Sequence, residues 1–223
     1  VVVDLAASPT EQMRLLFEEF DAARIHLQTD ALSTVLRRKG KGGIKFTGRE
    51  ISKWERTTAN AILAEADVPN AEVFVRERFV ADELAGQVRG ETLLPCVFVA
   101  HKNDLSQAGA NLSRLRDAYP AYRIVETNFL AEEGVERLKG ALLDVLGLIR
   151  VRLLERADPE SEGRFLYVSK ASTVEEVAEK AFSFVRDGAI SAQVWGRSAR
   201  YEGQPVGTSH LVEHDDALFI RTS

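Results

Sequence analysis

Leu93-Leu94-Pro95-Cys96-Val97-Phe98-Val99-Ala100-His101-Lys102-Asn103-Asp104-Leu105 is the stretch on which the reading of the chain turns. A short apolar run, Val97 to Ala100, stops abruptly at four polar residues, His101, Lys102, Asn103 and Asp104. A strand buried on both faces of a parallel sheet reads as a continuous apolar run, whereas a half-buried strand alternates. Ligands of open α/β sheets lie just beyond the carboxyl ends of such strands. The tetrad therefore stands where a ligand would sit. Taken alone, it also fits a strand running out into a solvated loop, with Asp104 capping a helix ahead of Ser106.

Outward from that strand, helix and strand patterns alternate. Residues 1–5 are a β-branched run of the buried type. Ser8-Pro9-Thr10-Glu11 has the form of a helix start, with Ser8 as N-cap, Pro9 at the first helical position and Glu11 as the capping-box acid. A chain that opens directly on a buried-type strand lacks the neighbours such a strand needs, so its start is expected to cut through a domain. Residues 24–27 form a strand pattern. Gly40, Gly42 and Gly43 separate two more, predicting a flexible hairpin tip or loop. A helix over 51–64, a strand over 71–75 and a helix over 80–88 come next. Beyond the tetrad come a helix over 111–118, a strand over 122–125, and a long amphipathic helix over 134–151. That last helix would carry Val135, Leu138, Leu142, Val145, Leu146 and Ile149 on one face. The polar stretch 156–163 is the expected domain boundary. After it come a strand over 164–168, a helix over 173–184 capped by Ser172 or Thr173, and short strands and turns over 192–220. The fold class that results is α/β before residue 155 and a small α+β module from 163 to 223.

Composition narrows the functional classes. With 223 residues, the chain is long enough for one large domain or two small ones. A net charge of −5 excludes indiscriminate nucleic-acid binding over the whole surface and leaves room for a local basic patch. The lone Cys96 cannot make an internal disulfide and reads as a small core residue of a reducing, cytoplasmic compartment. No apolar run approaches the ~18 residues of a membrane helix, and residues 1–10 lack the basic start and cleavage site of a signal peptide. No membrane partner is expected.

The most specific motifs lie near the C-terminus: Val194-Trp195-Gly196-Arg197-Ser198-Ala199-Arg200, then Gln204-Pro205-Val206-Gly207, then His210 with Asp215-Asp216 before Ala217–Ile220. Their order and spacing resemble the TGS domain of the developmentally regulated GTP-binding proteins, a branch of the Obg-related GTPases. In this light, Lys39-Gly40-Lys41-Gly42-Gly43-Ile44-Lys45-Phe46 is similar to that family's K-x-GGI-x-F segment, in a small domain inserted in the GTPase domain. Leu94-Pro95-Cys96-Val97-Phe98-Val99 is similar to its strand leading into the guanine-reading NKxD motif, with His101 where the family has Asn. The resemblance runs over essentially the whole chain. It implies an incomplete P-loop GTPase-like sheet over residues 1–155, an inserted α+β subdomain at about 23–80, and a β-grasp TGS domain over 163–223. It further implies GTP or GDP as ligand, with Mg²⁺ held by an upstream segment, and a ribosome, RNA or regulatory-protein partner.

The nucleotide-binding candidates implied are His101, Lys102, Asp104, Asn128 and Phe129. Asp104 would accept from the guanine N1–H and 2-amino group, and the Lys102 stem would lie along the base. Asn128-Phe129-Leu130 falls where the family has its second base-contacting loop and does not match it. The sequence contains no G-x-x-x-x-G-K-[ST], so no catalytic residue is assigned. The basic residues Arg37, Arg38, Lys39, Lys41 and Lys45 could neutralise RNA phosphates or form a solvated loop tip. Arg197, Arg200 and Tyr201 could add charge and stacking. Trp195 reads as core. His210 and His214 lack a cysteine partner and are given no metal. The rival reading is a non-catalytic RNA- or protein-binding adaptor that kept the scaffold and lost the nucleotide.

Overall fold

The structure is a computed structural model that describes residues 1–128, 132, 134–182 and 190–222. It is a mixed α/β molecule with several sheets, divided into two compact units, Val1–Leu146 and Gly147–Ser223.

In the first unit, chain order runs β1 (Val2–Asp4), α1 (Pro9–Ala22), β2 (Ile25–Gln28), β3 (Thr34–Arg38), β4 (Ile44–Gly48), α2 (Lys53–Glu65), β5 (Ala71–Val75) and α3 (Ala81–Val88). It continues with β6 (Thr92–Pro95), β7 (Phe98–His101), α4 (Ala108–Ala118), β8 (Ile124–Thr127) and α5 (Val135–Val145). The stretch 93–105 contributes to two strands. β6 pairs with β2, while β7 lies in a parallel sheet of order β1-β7-β8. One face of that sheet packs Val3, Leu5, Phe98 and Ala100 against Met13 of α1 and Leu112 and Leu115 of α4. The other packs Val97 and Val125 against Ala141 and Val145 of α5. Cover on both faces is why β7 is apolar throughout.

A separate core lies between the two halves of the first in sequence. It joins Ile51, Ala59, Leu63, Val73, Val75, Leu84 and Val88 under the sheet β3-β5-β4. Of the two alternatives for the glycine-rich stretch, hairpin tip or loop, the structure has the loop. β3 and β4 do not pair with each other. β5 lies between them, antiparallel to β3 and parallel to β4, so the glycine-rich loop is a crossover. The capping box expected at Ser8 is absent: the Ser8 side chain makes no cap hydrogen bond, and Glu11 pairs with Arg14 instead. Boxes do form at Ser52/Glu55 on α2 and at Thr173/Glu176 in the second unit.

The second unit comprises β9 (Leu148–Leu154), β10 (Gly163–Ser169), α6 (Val174–Ala181), β11 (Ile190–Trp195), β12 (Gln204–Val206) and β13 (Ala217–Thr222), in the sheet order β10-β9-β13-β11-β12. The helix predicted over 134–151 therefore ends early. Gly147, at φ +62°, ends it. The residues beyond Gly147 have a period of two: Ile149, Val151 and Leu153 are buried between Arg150 and Arg152. β9 belongs to the second unit, so the compact division falls at 146/147. The stretch 156–163, expected as the boundary, is the turn joining β9 to its antiparallel neighbour β10. α6 covers one face of this sheet through Val174, Val177 and Ala178.

Candidate functional site

The carboxyl ends of β1, β7 and β8 bring Asp4, the tetrad and Thr127–Asn128 together, because the register sets Asp4 beside His101 and His101 beside Thr127. The backbone at this end is held from behind. Leu5 N–H donates to the His101 carbonyl at 3.0 Å. The Gln12 carboxamide clasps Asp4, accepting from its N–H at 3.0 Å and donating to its carbonyl at 2.8 Å. Buried Asn111 on α4 donates to the Leu5 and Ala7 carbonyls at 2.9 and 3.2 Å.

On this fixed base the tetrad is laid out unusually. Lys102 has φ +64°, a left-handed conformation that long side chains seldom adopt. Its ammonium donates to Asp4 Oδ2 at 2.6 Å, which draws the stem across the ends of β7 and β1. That hydrogen bond, with one from Ala6 N–H, holds the Asp4 carboxyl below the ordinary carboxylate range. Asp104 is exposed, and its carboxylate has no partner among the described residues. It is not a helix cap, since α4 begins at Ala108 behind Gln107 and has no side-chain cap bond. Two further polar atoms here are buried without a hydrogen-bond partner, Asn103 Oδ1 and Thr127 Oγ1, and Thr127 is fully buried. Buried polar atoms are nearly always satisfied, so two such orphans at one strand end need an explanation.

Of the predicted base-contacting residues, His101, Lys102 and Asp104 thus share this end with Asn128, which directly succeeds β8. Phe129, and Leu130 beside it, lie outside the described residues. Sequence reading missed Asn103 and Thr127. The available signal was position: Asn103 belongs to the polar tetrad that follows β7, and Thr127 is the last residue of β8.

The five basic candidates separate. Arg38 donates to the Val88 carbonyl at 2.8 Å and so serves the fold. Arg37 and Lys45 flank Glu72 across the sheet, and Lys39 bonds Glu72 at 3.1 Å. Hydrogen bonds from Lys39 and Thr47 hold the Glu72 carboxyl below its usual range. Lys39, Lys41 and Lys45 line a hollow of about 390 Å³ with Gly42, Gly43 and Glu72. In the second unit Arg197, Arg200 and Tyr201 lie on the β11–β12 connection, where Tyr201 is exposed. Trp195 is buried with Leu154 and Ala217. No group of His, Cys, Asp or Glu among the described residues is placed to hold a metal ion.

No protein-family model matches the chain. Among curated proteins, it is 28% identical over 225 residues to Developmentally-regulated G-protein 3 of Arabidopsis thaliana, covering 99% of this chain and 59% of that protein. It is 24% identical over 223 residues to Developmentally-regulated GTP-binding protein 1 of Xenopus laevis, covering 99% and 59%. The chain is similar to the developmentally regulated GTP-binding proteins. An uncharacterised GTP-binding protein of Halobacterium salinarum is 29% identical over 231 residues, covering 99% of this chain and 61% of that protein. The chain thus spans about three fifths of the length of these relatives. The matched stretch covers 99% of this chain and so spans both units.

Proposed function

We infer that the first unit recognises the guanine base of GTP or GDP, as part of a GTP-binding protein of the developmentally regulated type. The observation that carries this is the unpartnered Asp104 carboxylate, beside the buried and unpartnered Asn103 Oδ1 and Thr127 Oγ1. An ionised carboxylate accepts from the guanine N1–H and 2-amino group together. Adenine offers neither donor, and charge-assisted hydrogen bonds are worth about 1.5–3 kcal/mol each. Lys102, anchored on Asp4, lends its stem to the flat of the base. The residues of this sequence address the base alone, since it has no G-x-x-x-x-G-K-[ST] to hold phosphates and Mg²⁺. The activity of the whole protein would be GTP binding and hydrolysis, coupled in the cytoplasm to a ribosome, RNA or regulatory-protein partner. The sheet β3-β5-β4 with its core would be the inserted subdomain expected at about 23–80, and the second unit a β-grasp TGS module. Supporting the latter are a five-stranded sheet with one helix against it and the motifs at Trp195–Ser198 and His210.

The test is nuclear magnetic resonance titration of ¹⁵N-labelled protein with GDP and with ADP. GDP should shift the amides of Lys102, Asn103, Asp104 and Asn128, and ADP should not. Equal shifts with both nucleotides, or none with GDP at millimolar concentration, would sink the reading. The adaptor reading, RNA without nucleotide, draws on the row Arg37–Glu72–Lys45 with Lys39 and Lys41. Replacing Arg37, Lys39 and Lys41 by Ala should then weaken RNA binding while the GDP shifts stay absent.

A further inference from the structure

The five-stranded sheet of the second unit has two unlike faces. α6 covers one. On the other, alternation sets out Phe165 and Tyr167 on β10 and Arg150 and Arg152 on β9, followed by a buried cluster of Leu154, Trp195 and Ala217 on which Phe219 of β13 packs, with Arg221 at its far side. Phe165 is 54% exposed and Tyr167 48%, although inward-facing Leu166 and Val168 of the same strand pack in the core. The register pairs Phe165 with Arg152 and Tyr167 with Arg150. Two guanidinium–aromatic pairs are already assembled: Arg150 stands 4.8 Å from the Phe165 ring centre, and Arg221 5.9 Å from that of Phe219.

We propose that the exposed β10–β9 side of this face is a platform for single-stranded RNA, with Phe165 and Tyr167 stacking on bases and Arg150, Arg152 and, across the buried cluster, Arg221 meeting the backbone. The proposal rests on the reading of an RNA partner and moves its site away from the Arg197–Tyr201 loop. Exposed aromatic rings on a sheet, interleaved with arginines, are the chemistry by which proteins hold unpaired bases. Residues two apart on a strand sit roughly 7 Å apart on one face, so Phe165 and Tyr167 can serve two neighbouring bases. Charge favours this occupant. The acids Glu175, Glu176 and Glu179 lie exposed on α6, against the opposite face. On the platform itself Asp215 is paired to Arg150 at 2.7 Å. The acidic turn after Leu154 bounds the Arg152 end, where Arg152 donates to the Pro159 carbonyl.

The experiment is fluorescence anisotropy with a labelled twelve-nucleotide oligouridylate and the full chain. Phe165→Leu with Tyr167→Leu should weaken binding at least about tenfold, and Phe165→Tyr with Tyr167→Phe should restore it. Both doubles should unfold with the wild-type midpoint, since these rings are exposed. Arg221→Gln should flatten the log–log salt dependence by about 0.7. No binding by the wild type would overturn this proposal and the RNA partner with it. Binding that survives the Leu pair but is lost on replacing Arg37, Lys39 and Lys41 by Ala would overturn the platform alone.

Discussion

The tetrad after β7 and the Trp195–Ser198 motif before β12 are both short polar signatures at strand ends, yet their polar atoms fare differently. In the second unit, Asp216 is fully buried and both its carboxylate oxygens are engaged, Oδ1 by Ser198 N–H at 3.2 Å and Oδ2 by Glu213 N–H at 2.7 Å. His210 Nε2 meets Ser198 Oγ at 2.9 Å. Gly196, at φ +130°, lies so close that a Cβ would stand 2.6 Å from Asp216 Oδ1. Asp216, Ser198 and His210 thus answer one another, and the motif ties the β11–β12 turn to β13. In the first unit the scaffold behind the tetrad is equally well bonded, through Gln12 and Asn111, but among the described residues buried Asn103 Oδ1 and Thr127 Oγ1 have no partner and the exposed Asp104 carboxylate meets only solvent. A satisfied motif specifies a fold. An unsatisfied one on a satisfied scaffold is held ready for something else.

Removing a satisfied group should cost the most. Asp216→Ala strands two N–H donors in a site closed to water and should destabilise the second unit by about 3 kcal/mol. Urea unfolding followed through buried Trp195, in a background where exposed Trp54 is replaced by Phe, measures this. A loss under about 1 kcal/mol would break the comparison. Gly196→Ala should cost about 2 kcal/mol in the same assay, because it adds a clash to a strained backbone. Asn111→Ala should cost the first unit about 1–2 kcal/mol, read by amide exchange at Leu5 and His101, since two carbonyls lose their donor.

The ion pair between Lys102 and Asp4 sharpens the comparison from the other side, because half-exposed pairs contribute little. The Asp4 carboxyl is held low in the folded state. Its contribution is therefore complete above the ordinary carboxylate range and fades as pH falls through the lowered value. The stability gap between wild type and Asp4→Asn should be present at neutral pH and close in acid. A gap that stays constant down to about pH 3 would show that the pair plays no part.

These residues also show what the sequence can and cannot disclose. β7 is legible because a doubly covered strand needs apolar residues throughout, and Trp195 because a large ring anchors a small core. β9 reads as helix because Val145, Leu146 and Ile149 continue a helical spacing across Gly147, while the period-two signal of Ile149, Val151 and Leu153 starts only there. That misreading hides Arg150 on an apparent helix. The crossover at Gly40–Gly43 is not legible either: strand order depends on β5, which lies about 25 residues farther on. Within the site, Asp104 is found by motif. Asn103 is legible only as a member of the polar tetrad, and Thr127 emerges only from its buried, unpartnered hydroxyl.

The most direct test pairs two readouts on one substitution, Asp104→Ala. Because the carboxylate is exposed and unpartnered, its removal should leave the unfolding free energy within about 0.5 kcal/mol of wild type. On the proposed reading this carboxylate is what tells guanine from adenine, so the preference for GDP over ADP should fall at least about tenfold, or ~1.4 kcal/mol. Unchanged stability with that loss is what the account predicts. An unchanged preference, or a stability loss as large as that of Asp216→Ala, would contradict it.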